Sequence, residues 1–237
     1  CIRIFGVEKM YDIVILGAGG MGRETYEVIQ DTFKDNPNYR VKGFLSDVLD
    51  ILDGFEGYPP LLGTIKDYQV QPNDRFILAI GDVAGRRKIA ESILERGGEF
   101  LTLISNLAKV DKTAQIGRGV IVFPFSHIGA NSKIGDFCLM NLHAIVGHDT
   151  ILGKFTEVCS FCVLGGATQT GEECFFAMQT ATGPKVKIGN RVILSLGSVT
   201  TEDVADNSFV VGVPGRVYKR KSAQVSGGFG GFVVETF

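Results

Sequence analysis

The stretch IGANSKIGDFCLMNLHAIVGHDTILG, residues 128–153, decides the fold. A large apolar residue returns at every sixth position: Ile128, Ile134, Met140, Val146 and Leu152. Followed outward, the series holds Ile104, Val110, Ile116 and Val122 on one side and Val158 and Leu164 on the other. It then continues as Thr170, Phe176, Thr182, Ile188 and Leu194. Two residues before these positions the side chain is mostly small, as at Ser126, Ser132, Cys138, Ala144, Thr150, Thr156 and Cys162. One residue after them glycine recurs at 117, 129, 135, 147, 153, 165, 171, 183 and 189. The exceptions, Phe123, Asn141, Cys159, Ala177 and Ser195, fall 18 residues apart, so the full period is three hexads.

A repeat of this kind predicts a parallel β-helix from about Ile104 to Thr200. Each coil is a triangle of three short strands, and about five coils stack at roughly 4.8 Å. The large residue fills the interior, the small one lets the chain turn a corner, and glycine eases the backbone after two of the three corners. Thr170 and Thr182 predict less regular final coils. A β-sandwich would instead alternate with period two.

Upstream, YDIVIL (residues 11–16) is a β-rich apolar run, followed at once by GAGGMG (17–22) and a helical segment from Arg23 to Phe33. Strand, glycine loop and helix together form a phosphate-binding context, in which the backbone approaches the ligand and the helix N-terminus favours its charge. A second strand, Val41–Leu45, ends at Ser46-Asp47, where a carboxylate can accept from a ribose or base. A third, Phe76–Ile80, ends at Gly81-Asp82 and leads into a helix from about Ala84 to Arg96. About 90 residues make half of a dinucleotide fold, which fits a mononucleotide or nucleotide sugar better than NAD. The expected domains are an α/β half-Rossmann (βαβ) unit at 10–98 and the β-helix at 99–213. Residues 214–237 form a tail, and residues 1–9 an extension before Met10, which reads as a natural start.

Of 237 residues, 45% are apolar and 21% charged, with a net charge of −2, which argues against nucleic acid or an anionic membrane as partner. No apolar run approaches the ~20 residues of a membrane span, and the N-terminus lacks a secretory pattern. Five cysteines, three of them at inward repeat positions, read as reduced thiols of a cytoplasmic protein. Among the histidines (His127, His143, His148), His148 falls on the outside of the prism beside Asp149, an arrangement suited to accepting a proton near neutral pH. The spacing of five between His143 and His148 also admits a zinc site like that of gamma-class carbonic anhydrases, with His127 as third ligand.

The chain resembles the left-handed β-helix acyltransferases that acetylate sugars. More narrowly it is similar to the family of sialic acid O-acetyltransferases and nucleotide amino-sugar N-acetyltransferases. The segments that carry the likeness are ILGAGGMG, Leu45-Ser46-Asp47, LLG at 61–63, AIGD-x-x-x-R at 79–86, MNLHAIVGHD at 140–149, IGNRVILSLGSVTTEDV and VVGVPGRVYKR. The resemblance implies left-handed coils, a homotrimer, acetyl-CoA as donor with no metal, and an amino sugar or sialic acid as acceptor. It implies His148 as general base, Asp149 as its partner and the Gly166 N–H as donor to the thioester oxygen. Acetyl-CoA is expected against Gly166, Ala177, Met178, Gly183, Lys187, Gly212, Pro214 and Arg216. The sugar nucleotide is expected at Gly17, Gly19, Gly20, Met21, Gly22, Asp47, Gly81, Arg86 and Asn141. Met21 and Glu157 stand where members of the family often carry histidines.

Overall fold

The computed structural model describes residues 10–219; the extension at 1–9 and the glycine-rich tail after Ser222 lie outside the described residues. Two units follow one another. In the first, β1 (Tyr11–Leu16), β2 (Tyr39–Leu45), β3 (Asp74–Leu78) and β4 (Glu99–Phe100) form a parallel sheet ordered β2-β1-β3-β4. The helices are α1 (Gly20–Phe33) and α2 (Val83–Glu95). Ile13, Val14, Ile15 and Leu16 are wholly buried, as expected of a central parallel strand. Glu99 and Phe100, expected to open the β-helix, pair instead with Arg75 and Phe76 and close this sheet. The boundary therefore lies just after Phe100.

The second unit is the left-handed parallel β-helix, built from two-residue strands that pair with strands 18 residues away. Its first face runs from Leu103–Ile104 through Leu139–Met140 to Ser208–Val211. The second runs from Lys109–Val110 to Val199–Thr200, the third from Gln115–Ile116 to Lys187–Ile188. The large hexad residues form one interior column, including Val122, Ile128, Met140, Val146, Val158 and Leu194. Thr170 and Thr182 stay buried in it, but the last coils are less regular, as expected: Ile151 pairs with Gln169 while Leu152 and Thr170 do not pair, and the final coil pairs Ile193 with Phe209 and Ile188 with Val204. The Thr170 and Thr182 hydroxyls accept from the Gly153 and Gly165 N–H groups, so a buried polar atom is satisfied within the column. Arg216–Lys219, assigned to the tail, returns as an antiparallel strand on Ser208–Val211.

The small hexad residues do more than turn corners. The Ser126 and Ser132 hydroxyls and the Cys138, Cys162 and Cys174 thiols each reach a carbonyl 15 residues on, giving an internal hydrogen-bond ladder. The glycines also act differently from the expectation. The left-handed backbone falls two residues later, on non-glycine residues such as Asn131, His143, Asp149 and Ala167. What glycine supplies is space between coils: a Cβ on Gly129 would lie 2.7 Å from the His148 nitrogen, and one on Gly147 2.7 Å from the Gly166 nitrogen.

The α/β unit docks on the first face. Leu103, Ile121, Phe123 and Leu139 share a cluster with Ile13, Ile15 and Phe44. Phe137 and Phe155 stack at 4.9 Å and pack beneath Leu16, Phe76 and Phe100. Helix α2 crosses this interface with two arginines. Arg87 pairs with Glu172 and Glu173 at 2.6 Å each, while Arg86 is buried completely and donates to the Phe137 carbonyl at 2.6 Å.

Candidate functional site

The turn Gly147–Thr150 joins the second face to the third and places His148 and Asp149 on that edge. Asp149 has φ 57°, and the left-handed backbone brings its carboxylate back onto the preceding ring. His148 Nδ1 lies 2.7 Å from Asp149 Oδ2, and the Asn131 amide, one coil earlier, donates to Oδ1 at 3.1 Å. These two hydrogen bonds, the one to His148 first, hold the Asp149 carboxyl below the usual carboxylate range. An ionised Asp149 accepting from Nδ1–H leaves Nε2 as the lone-pair nitrogen. Asn131 was absent from the residues expected here, although its offset of 18 from Asp149 placed it one coil away.

His148 Nε2 stands over Gly166. A Cβ built on Gly166 would lie 2.5 Å from Nε2 and 2.8 Å from Cε1, so the ring position requires a glycine there. Among the described residues the Gly166 N–H donates to no backbone carbonyl. An amide without a backbone partner thus sits one coil from the Nε2 lone pair. Gly166→Ala is expected to push the imidazole aside. The melting temperature should hardly move, because the displaced ring is exposed; the imidazole NMR resonances and a thermal melt check both.

The other residues expected on the β-helix are spread over its faces and edges. Gly183 shares the edge of His148 and Gly166, and Lys187 lies exposed on the third face. Ala177 and Met178 sit on the opposite edge, between the first and second faces, together with Asn141, whose Oδ1 accepts from the Leu142 N–H. Gly212, Pro214 and Arg216 form the exposed hairpin beyond Ser208–Val211.

Gly17, Gly19, Gly20, Met21, Asp47 and Gly81 line a cavity of about 400 Å³ at the carboxyl ends of β1, β2 and β3, together with Ser46, Ile51, Ile65, Ile80 and Ile89. Its floor needs small residues: Gly17 has φ 100°, and a Cβ there would lie 2.5 Å from the Ala79 oxygen. Gly22 is buried against the Gly17 carbonyl and serves helix–loop packing. Asp47 Oδ1 accepts from the Ile65 N–H at 3.0 Å.

Arg86 does not belong to this cavity. Its guanidinium lies between the two units, 3.6 Å from Glu157. Glu157 is itself buried under α2 on the first face. Burial pushes its carboxyl up to about 7, against the pull of Arg86.

The three histidines do not converge as zinc ligands. His127 faces Asp111 on the second face, His143 stacks between Phe125 and Phe161 at 5.0 and 4.8 Å, and His148 is on the far edge. Cys159 and Cys162 are buried free thiols raised by burial, with Cys162 donating to the Ala177 carbonyl. Among the described residues no helix is long and apolar enough to cross a membrane.

An α/β glycine-loop unit docked on a hexapeptide β-helix is the arrangement of the hexapeptide-repeat sugar acetyltransferases, and the resemblance holds in both halves of the chain. Residues 12–93 match the PglD N-terminal domain family. GDP-perosamine N-acetyltransferase of Escherichia coli O157:H7 is 32% identical over 153 residues, covering 60% of this chain and 64% of the relative. The chain thus spans less than two thirds of that curated relative. The acetyltransferase domain of PglB from Neisseria gonorrhoeae FA1090, solved with acetyl coenzyme A, superposes with a TM-score of 0.80 at 27% identity, covering 87% of this chain and 98% of that one. PerB from Caulobacter crescentus, solved with CoA and GDP-perosamine, gives 0.79 at 27% identity, covering 87% and 96%.

Proposed function

We propose that this protein moves the acetyl group of acetyl-CoA to the amino group of a nucleotide-linked amino sugar in bacterial glycan biosynthesis, with His148 as general base. The observation that carries the reading is the Asn131–Asp149–His148 chain aimed over Gly166. The neutral amine attacks the thioester carbonyl carbon as Nε2 takes its proton, and the Gly166 N–H stabilises the oxyanion. Collapse breaks the C–S bond, and the proton leaves with CoA as its thiol. The glycine-loop cavity supplies the nucleotide site. Four buried free thiols fit a cytoplasmic setting.

The reading includes a homotrimer, on three supports. The docked α/β unit covers the first face, while His148 projects from the edge between the other two. Of the residues expected against acetyl-CoA, Gly166 and Gly183 fall on one edge of the second face and Ala177 and Met178 on the other, so a groove between two prisms would use one edge from each. Finally, the outward residues of that second face are apolar over four successive strands: Ile145, Val163, Ala181 and Val199, the first two 40% and 41% exposed. A cyclic trimer turns this face to its axis. Val163→Arg is expected to give a monomer without activity; sedimentation velocity reads the mass, and an active trimer of the variant would overturn the arrangement.

The function itself is tested by thiol release from acetyl-CoA against UDP-, GDP- and dTDP-linked 4-amino sugars and free sialic acid. Turnover of an amino sugar is expected. Turnover of sialic acid alone would move the reading to O-acetylation, and silence across the panel would end it.

A further inference from the structure

The glycine-loop cavity is short of positive charge. Asp47 is the charged side chain in its lining, and it is negative. The uncapped amides at the start of α1 help an anion: Gly19 offers no side-chain cap, and the first turn has no acidic residue. A diphosphate still has to face Asp47 and a wall of isoleucines.

Arg23 is not itself part of that lining, but it touches a residue that is. It is the residue after Gly22, in the first turn of α1, and long helical side chains run back toward the N-terminus. Its Nη1 reaches the carbonyl of Ala18, a cavity residue, at a long 3.4 Å. Its guanidinium carbon sits 3.7 Å over the ring of Phe55, from the loop between β2 and β3. Among the described residues no carboxylate forms an ion pair with it, whereas Lys42 is paired to Asp74 and Arg96 is spent on the carbonyls of Ile65, Lys66 and Tyr68. Phe55 is 48% exposed, so the stacked guanidinium stays open to solvent on its far side.

We infer that Arg23 is the diphosphate-binding cation of the nucleotide-sugar site, and that Phe55 is the platform that holds its guanidinium flat at the mouth. The inference rests on the proposed use of this cavity. A planar guanidinium stacked on a ring keeps its N–H edge free for paired bonds to phosphate oxygens, and stacking removes much of the side-chain entropy that such bonds would cost. The Ala18 contact is long enough to be exchanged for a phosphate oxygen at little cost.

Calorimetric titration of the full chain with UDP, GDP and dTDP, each beside its nucleoside, tests this without requiring acetyl transfer. Arg23→Ala is expected to weaken the best-bound diphosphate about 10–100-fold while leaving the nucleoside unchanged, as loss of a charge-assisted contact predicts. Arg23→Lys should recover part of the loss. Phe55→Ala should weaken the diphosphate less than Arg23→Ala does, and with the same indifference to the nucleoside. Equal binding by wild type and Arg23→Ala, or equal loss for nucleoside and diphosphate, would overturn the assignment; so would a wild-type chain that binds none of the three. Diphosphate binding that depends on Arg23 in a chain with no acetyl transfer would leave the inference standing and end the proposed function.

Discussion

His148→Ala is expected to lower kcat for acetyl transfer about 10²–10⁴-fold, the usual contribution of a positioned general base. The side chain is 70% exposed, and its removal leaves the coil ladder intact, because the turn is held by backbone bonds such as Asp149 N–H to the Ala130 carbonyl and Ala167 N–H to the His148 carbonyl. Folding and the KM for both substrates should therefore change little. Asp149→Ala is expected to cost less, since the imidazole remains and can still accept a proton, though its ring and tautomer are no longer fixed from Nδ1. Asn131→Ala should cost least, because it acts on Asp149 alone. The graded order, read from steady-state thiol release, is the signature of one base oriented through two further groups. A His148→Ala enzyme with near-normal kcat would remove the base from the mechanism.

The repeat was legible because geometry imposes it. A triangular coil with a filled interior needs an apolar side chain at fixed intervals, and no other common fold writes that interval over 90 residues. The His148–Asp149 pair was legible for the same reason, since the hexad frame fixes which residues point outward. Asn131 and the apolar second face were written in the same frame, at offsets of 18, but they become meaningful only when successive coils are laid side by side. The role of the repeat glycines was misread because sequence gives position and not the neighbour: Gly147 is glycine on account of Gly166, a full coil away. Arg86 was misplaced by motif spacing. Helical spacing puts Val83, Arg86, Ala90 and Ile93 on one face, and all four are buried. An arginine on an apolar helical face has to find its counter-charge inside the protein.

That counter-charge is Glu157, and removing it is expected to have the largest effect on stability. Arg86 keeps its charge at any ordinary pH. Glu157→Ala at pH 8 leaves a buried guanidinium without its carboxylate, at a cost of about 3–5 kcal/mol, or roughly 6–20 °C in melting temperature for a chain of this size. Replacing both partners together, as Arg86→Met with Glu157→Leu, should recover most of the loss, because the desolvation of the buried pair offsets its attraction. The pH dependence carries a sign of its own. Burial raises the Glu157 carboxyl from 4.5 to about 7, so between these values the folded chain keeps a proton that the unfolded chain gives up. The contribution of this group is fully present below about pH 4.5 and is lost as pH rises through about 7. Denaturant midpoints of the wild type should therefore fall across that window, while those of the double variant should lack this component. A double variant as unstable as Glu157→Ala, with the wild-type slope retained, would mean that the two side chains do not act as a pair and that the docking of α2 rests on Phe137, Phe155 and the Arg87 contacts alone.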